Sequence, residues 1–194
     1  MEKMMNTVNC ILHIKNMVCP RCKYVVKQIC EELGYTVLAI ELGQVVIKSQ
    51  EPVAEQLKLR LEEQGFQLLD SDHECLVERV KVLLIDLLYW NGGIKQPVNL
   101  AEILEMGTQT RFDKLESIFY SACGCTIQEY FDLLRFERAK ELVSYHQHVQ
   151  CITESLGYGA CERLELEFRR RLNMDLSAFI ASENNYRISL DALV

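Results

Sequence analysis

The stretch Cys10-Ile11-Leu12-His13-Ile14, followed by Met17-Val18-Cys19-Pro20-Arg21-Cys22 and then the apolar-periodic residues 24–33, decides how the first third of the chain reads. It is a strand, a cysteine-rich turn and a helix that Gly34 stops. Working outward, residues 36–41 and 44–48 are strands across the turn Leu42-Gly43. Residues 52–64 form a helix ended by Gly65, and residues 66–69 a short strand. This β-α-β-β-α-β order predicts a ferredoxin-like domain over residues 1–72, with the polar stretch 70–74 as its boundary.

From Cys75 onward apolar residues recur at spacings of three and four, interrupted around Gly92, Gly107, Gly124, His146 and Gly157. The pattern predicts helices near 75–91, 99–106, 111–122, 126–144, 150–156, 160–172 and 176–182. Residues 73–95 read as a connecting helix, and residues 96–194 as an all-α domain of short helices joined by tight turns. The expected class is α+β.

Composition agrees with a packed protein. Hydrophobic residues make up 49% of the 194, with only 3 Pro and 9 Gly, which excludes wholesale disorder and collagen-like repeats. The nine cysteines are an odd number spread over the chain, and residues 1–9 are too polar for a secretory signal, so reduced cytoplasmic thiols are expected. The most apolar stretch, 80–90, carries Lys81 and Asp86 and is shorter than the roughly 20 residues of a membrane span, so no membrane partner is expected.

Cys19 and Cys22 stand three residues apart where a helix begins, so both sulfurs can address one centre. The helix N-terminus and the nearby Arg21 and Lys23 would favour thiolates, and soft thiolates select copper(I), zinc or related thiophilic ions. Two sulfurs alone suit copper(I) better than tetrahedral zinc. The alternatives are a thioredoxin-type redox pair, for which residues 1–70 hold neither a preceding Trp nor a suitably placed Pro, and a structural relic without function. Cys10 and Cys30 read as small core hydrophobes. Residues 10–69, with Met17-x-Cys19-x-x-Cys22 after the first strand, resemble the heavy-metal-associated domain of copper chaperones and metal-transporting ATPases. The resemblance implies Cys19 and Cys22 as ligands and Met17 as the buried residue that shapes the loop; Asn16 stands where that family usually has Gly.

In the helical half, residues 98–104 and 112–119 would form a positioning and a recognition helix, residues 126–142 a long linking helix, and residues 152–158 and 164–172 a second such unit. The segment Thr126-Ile127-x-x-Tyr130 leading to Arg135-x-x-x-Ala139-Lys140-x-Leu142, the turn Leu156-Gly157-Tyr158, and Leu164-x-x-x-Phe168-Arg169-Arg170 closing on Met174-x-x-Ser177-x-Phe179 resemble the DNA-binding domain of AraC-type regulators over residues 96–182. That domain places two helix-turn-helix units in successive major-groove segments. The resemblance implies double-stranded operator DNA as partner, read through Arg111, Lys114 and Ser117 in the first unit and Glu162, Arg163, Glu165, Arg169 and Arg170 in the second. Arg171 would extend the basic cluster. Glu162, Glu165 and Glu167 would repel phosphates, though a Glu can accept a hydrogen bond from cytosine. Residues 71–194 carry 13 Lys and Arg against 19 Asp and Glu, a net of −6. Non-specific affinity should therefore be low and salt-sensitive.

The remaining signals are modest. Leu83, Leu84, Leu87, Leu88 and Trp90 read as packing, with one face available for a homodimer, and His146 and His148 as caps of the long helix. Cys123 and Cys125, one residue apart, are too close for joint ligation. No phosphate loop, carboxylate pair or nucleophile-base arrangement points to an enzyme. The expectation is a bacterial-type, metal- or redox-responsive transcriptional regulator. The alternative is a thiophilic-metal binding protein whose acidic helical half binds protein.

Overall fold

The computed structural model describes residues 8–49, 53, 55–90, 94, 98–182 and 187–193. It is α+β, with one four-stranded antiparallel sheet and mostly helix elsewhere. The chain divides into two compact units, Met1–Val82 and Leu83–Val194.

In the first unit, β1 (Val8–Lys15) leads to α1 (Pro20–Glu32), then to the hairpin of β2 (Thr36–Glu41) and β3 (Gln44–Ser49), α2 (Glu55–Glu62) and β4 (Gln67–Leu69). Strand order is β2-β3-β1-β4. Gly43, at φ +73°, makes the hairpin turn possible because a side chain is disfavoured there. Register pairs Leu12 with Val45 and His13 with Leu69, and it shifts between Val37 and Ala39 at a bulge in β2. Alternation then puts Leu12, Ile14, Val45 and Ile47 on one face, packed with Val26, Ile29 and Cys30 of α1, Leu57 and Leu61 of α2, Met17 and Phe66. Cys30 is fully buried, as its apolar neighbours predicted, while Cys10 is half-buried at the core margin. Pro52 and Ala54, at the expected start of α2, lie outside the described residues, as does Gly92.

The helix α3 (Asp72–Tyr89) begins within the polar stretch read as a boundary, and its residues up to Val82 belong to the first unit. The second unit continues through α4 (Leu100–Thr108), α5 (Phe112–Cys123), α6 (Ile127–Ser144), α7 (Val149–Ser155), α8 (Cys161–Leu172) and α9 (Leu176–Ala181), then a 3-10 turn at Leu190–Ala192. These spans follow the periodicity to within a few residues; Gly107, expected to break the pattern, lies inside α4, which instead ends at Gln109 in the left-handed conformation.

The capping chemistry is local. Thr126 and Glu129 form a reciprocal capping box at the start of α6, and Asp175 accepts from the Ala178 N–H at the start of α9. His146, at φ +57°, follows the last residues of α6 and donates its N–H to Val143 O; His148 caps no part of α6 but precedes α7, without a side-chain cap bond. Phe119 packs on Tyr130 with ring centroids 5.4 Å apart, and Phe168 meets Phe136 and Phe179 edge-on at 5.0 and 4.8 Å. Such contacts add to the area that the rings bury.

Candidate functional site

The loop from β1 to α1 is held from several directions. Asn16 sits at φ +70°, a left-handed conformation that Asn tolerates better than most residues. Its N–H donates to Glu78 Oε1 of α3 at 2.9 Å, its side-chain amide donates to Gly65 O at 2.9 Å, and its carbonyl accepts from the Val18 N–H at 3.1 Å. Met17 is wholly buried in the core. Pro20 then starts α1 with its ring-fixed φ and no N–H to leave unsatisfied.

Cys19 is the extended residue before α1 and Cys22 lies in its first turn. This brings their sulfurs to 3.1 Å, sharing a hydrogen bond, with both residues half-buried. No disulfide joins any of the nine cysteines. The expectation of ready thiolates is corrected at Cys22. Burial first, and next the hydrogen bond with Cys19, push its thiol up, against smaller lowering from the backbone of Val18 and Cys19. Arg21 is exposed and does not offset this. A thiophilic ion that binds Cys22 would therefore compete with its proton. Among the described residues no group of three or more His, Cys, Asp or Glu converges to hold a metal, so this is a two-sulfur arrangement. It fits a soft ion of low coordination number better than a hard one.

In the second unit, α4 and α5 are joined by three residues, and α7 and α8 by five that include Gly157 and Gly159 at positive φ. Arg111, Lys114 and Ser117, three residues apart along α5, are all exposed; Arg111 pairs with Asp113 at 2.9 Å, and both side chains remain mostly solvated. On α8, Leu164 and Phe168 face the core, leaving Glu162, Arg163, Glu165, Arg169 and Arg170 exposed on the outer side. Arg171, also exposed, pairs with Glu167 one turn earlier and lies 5.4 Å from the Phe136 ring.

The motif residues on α6 and beyond have structural work. Arg135 pairs with Asp132 at 2.8 Å and stacks 4.7 Å over Tyr158, whose hydroxyl is buried and raised in pKa chiefly by that burial. Lys140 is buried and pairs with Glu137 at 2.6 Å. Two residues that the sequence reading passed over also stand out. Leu166 is 63% exposed in the middle of the outer face of α8, and Glu78 is buried against the cysteine loop. Glu78 shares a helical stripe with Val82 and Ile85, so a carboxylate in an apolar row was its visible signal.

Among the described residues no helix is long and apolar enough to cross a membrane. Comparison with protein-family models, curated proteins and solved structures finds no match. The residues themselves therefore carry the functional reading.

Proposed function

We propose that this chain is a cytoplasmic, bacterial-type transcriptional regulator. In this reading its first unit senses a thiophilic metal, copper(I) foremost, or a redox signal through Cys19 and Cys22, and its second unit binds operator DNA. The carrying observation is the convergence of two thiols at 3.1 Å at a helix start, on a chain that also bears two helix pairs flanking the long α6. The strand order β2-β3-β1-β4 for a β-α-β-β-α-β chain supports the ferredoxin-like, heavy-metal-associated-like reading of the first unit. Short connections, buried Leu and Phe on the inner faces of α5 and α8, and polar outer faces support the AraC-type, double helix-turn-helix reading of the second. A bound copper(I) would supply a soft Lewis-acid centre; Cys19 and Cys22 would hold it, and Met17 would keep the loop seated in the core.

Two measurements on the full chain test this. Anaerobic titration with copper(I) should show one equivalent held by wild type and lost in Cys19→Ser/Cys22→Ser, and equal uptake by both would remove the site. Selection from random duplex DNA, followed by fluorescence anisotropy at several salt concentrations, should yield a preferred sequence whose affinity changes on copper loading. No saturable binding even at low salt would defeat the DNA reading.

A second reading has its own support. The net charge is −7, and Leu166, Met106 and Tyr120 are exposed to 63, 72 and 57%. Such apolar groups on an acidic surface suit a protein partner, so the alternative is a thiophilic-metal binding protein with a protein-binding helical half.

A further inference from the structure

We propose that Glu78 is the positioning residue through which the state of the Cys19–Cys22 loop reaches α3; this rests on the sensing reading of those two cysteines. The loop between Lys15 and Pro20 is attached at a small set of named points. Asn16 is fixed by its N–H on Glu78 Oε1 and its side-chain amide on Gly65 O, and Met17 is fixed by burial. Val18 N–H to Asn16 O closes a tight turn over residues 16–18, directly before Cys19. Cys22 rides on α1, whose Val26, Ile29 and Cys30 are locked in the core, whereas Cys19 is tied to that helix through its carbonyl, which accepts from the Lys23 N–H at 3.4 Å. A change in the separation of the two sulfurs therefore displaces Cys19, and with it the Asn16 N–H.

The sulfurs now lie 3.1 Å apart. A disulfide requires about 2.05 Å. Two thiolates on one ion at a metal–sulfur distance of about 2.3 Å stand roughly 3.8 Å apart in a tetrahedral arrangement and about 4.6 Å apart in a linear one. Oxidation and metal loading thus pull Cys19 in opposite senses from the reduced form, and Asn16 transmits both to Glu78.

A carboxylate is an expensive choice at this place. Glu78 is 6% exposed, and burying a charge disfavours folding unless its partners compensate. A neutral acceptor would hold the Asn16 N–H with less desolvation, so folding alone does not call for Glu there. The charge makes the bond to Asn16 stronger and its loss more consequential, which suits a coupling contact. α3 continues without interruption from Glu78 to Tyr89, and its residues from Leu83 belong to the second unit.

The test uses the full chain labelled with nitrogen-15, in three states: reduced, loaded anaerobically with one equivalent of copper(I), and oxidised with diamide. In the last, the two thiols give two protons and two electrons to the azo bond, forming the disulfide and the hydrazine. In wild type the Asn16 amide proton should shift in opposite directions in the two treated forms, and hydrogen exchange over residues 77–82 should change at least about threefold. Glu78→Ala should bind copper and form the disulfide with unchanged stoichiometry while residues 77–82 no longer respond. Glu78→Gln, which keeps an acceptor, should retain a reduced response and decides the matter if Glu78→Ala does not fold. An unchanged Asn16 amide in copper-loaded wild type, or an equal response in the Gln variant, overturns the proposal. Failure of both copper binding and disulfide formation overturns the sensing reading and the coupling with it. Absence of DNA binding alone leaves the result intact, because no DNA enters the measurement.

Discussion

Removing the Lys140 ammonium should destabilise the second unit far more than removing Lys140 and Glu137 together. Their side chains are 2 and 6% exposed and lie 2.6 Å apart. At an effective dielectric near 20, that distance corresponds to a gross attraction of about 6 kcal/mol, set against a desolvation penalty of several kcal/mol for each ion. The pair is therefore close to balanced as a unit. Lys140→Met strips Glu137 of its counter-charge and also removes the ammonium 5.3 Å from the Phe136 ring. The loss should be about 3 to 5 kcal/mol. In Lys140→Met/Glu137→Leu the uncompensated charge is gone. The Ile188 N–H, which donates to Glu137 Oε2 at 2.9 Å, belongs to a residue 51% exposed and can turn to water. The double variant should then lie within about 1 to 2 kcal/mol of wild type. Urea unfolding followed by far-ultraviolet circular dichroism measures all four corners of the cycle. A double variant whose loss equals the sum of the two singles would refute the reasoning, as would a Lys140→Met variant as stable as wild type.

Other outcomes follow from single contacts. Thr126→Ala should remove the capping box of α6 and cost about 0.5 to 2 kcal/mol by thermal melting, while Thr126→Ser keeps it. The same box holds the Glu129 carboxyl below its usual range, chiefly through the Thr126 N–H, so the stability it lends is present above the ordinary glutamate value and fades as pH falls through the lowered one. Glu78 has the opposite sign. Burial pushes its carboxyl up against the Asn16 N–H and the charges of Lys81 and Lys15, so its stabilising protonated form is full below the ordinary value and lost as pH rises through the raised one. The Tm of Glu78→Gln minus that of wild type should accordingly grow from acid to neutral pH, and a constant difference would contradict the assignment. On the DNA reading, Arg169→Ala/Arg170→Ala should weaken all duplexes and flatten the salt dependence. Glu162→Gln/Glu165→Gln should tighten random DNA, and loss of cognate preference in that variant would identify a carboxylate reading cytosine.

What the sequence revealed was what neighbours in the chain decide. The hairpin was legible because a Gly-containing turn between alternating segments is a local signal, and β2 and β3 lie where that alternation put them. The cysteine pair was read at a helix start and α1 does begin at Pro20, the apolar periodicity becoming clear only from residue 24. The spacing of Cys19 and Cys22 announced their convergence. The raised thiol of Cys22 was not legible, because its burial depends on how α1 settles on the sheet. The Glu78 bond to Asn16 spans 62 residues and has no local signature. Arg171 with Glu167 shows the reverse case, an i, i+4 ion pair plain in the sequence.

The long helix α6 has a burial pattern with a consequence for how the second unit comes into being. Ile127, Tyr130, Phe131 and Leu134 make one buried stripe, but from Phe136 onward Phe136, Glu137, Ala139, Lys140, Leu142 and Val143 are buried nearly all round. The second half keeps only a narrow partly exposed edge at Arg138, Glu141 and Ser144, and it holds two ions inside, so it draws on more than one partner. Neither the α4–α5 pair nor the α7–α8 pair can therefore be cut away as an autonomous module with α6 attached. Recombination of such halves would therefore carry the whole helical unit, because α6 is completed only when both pairs are present.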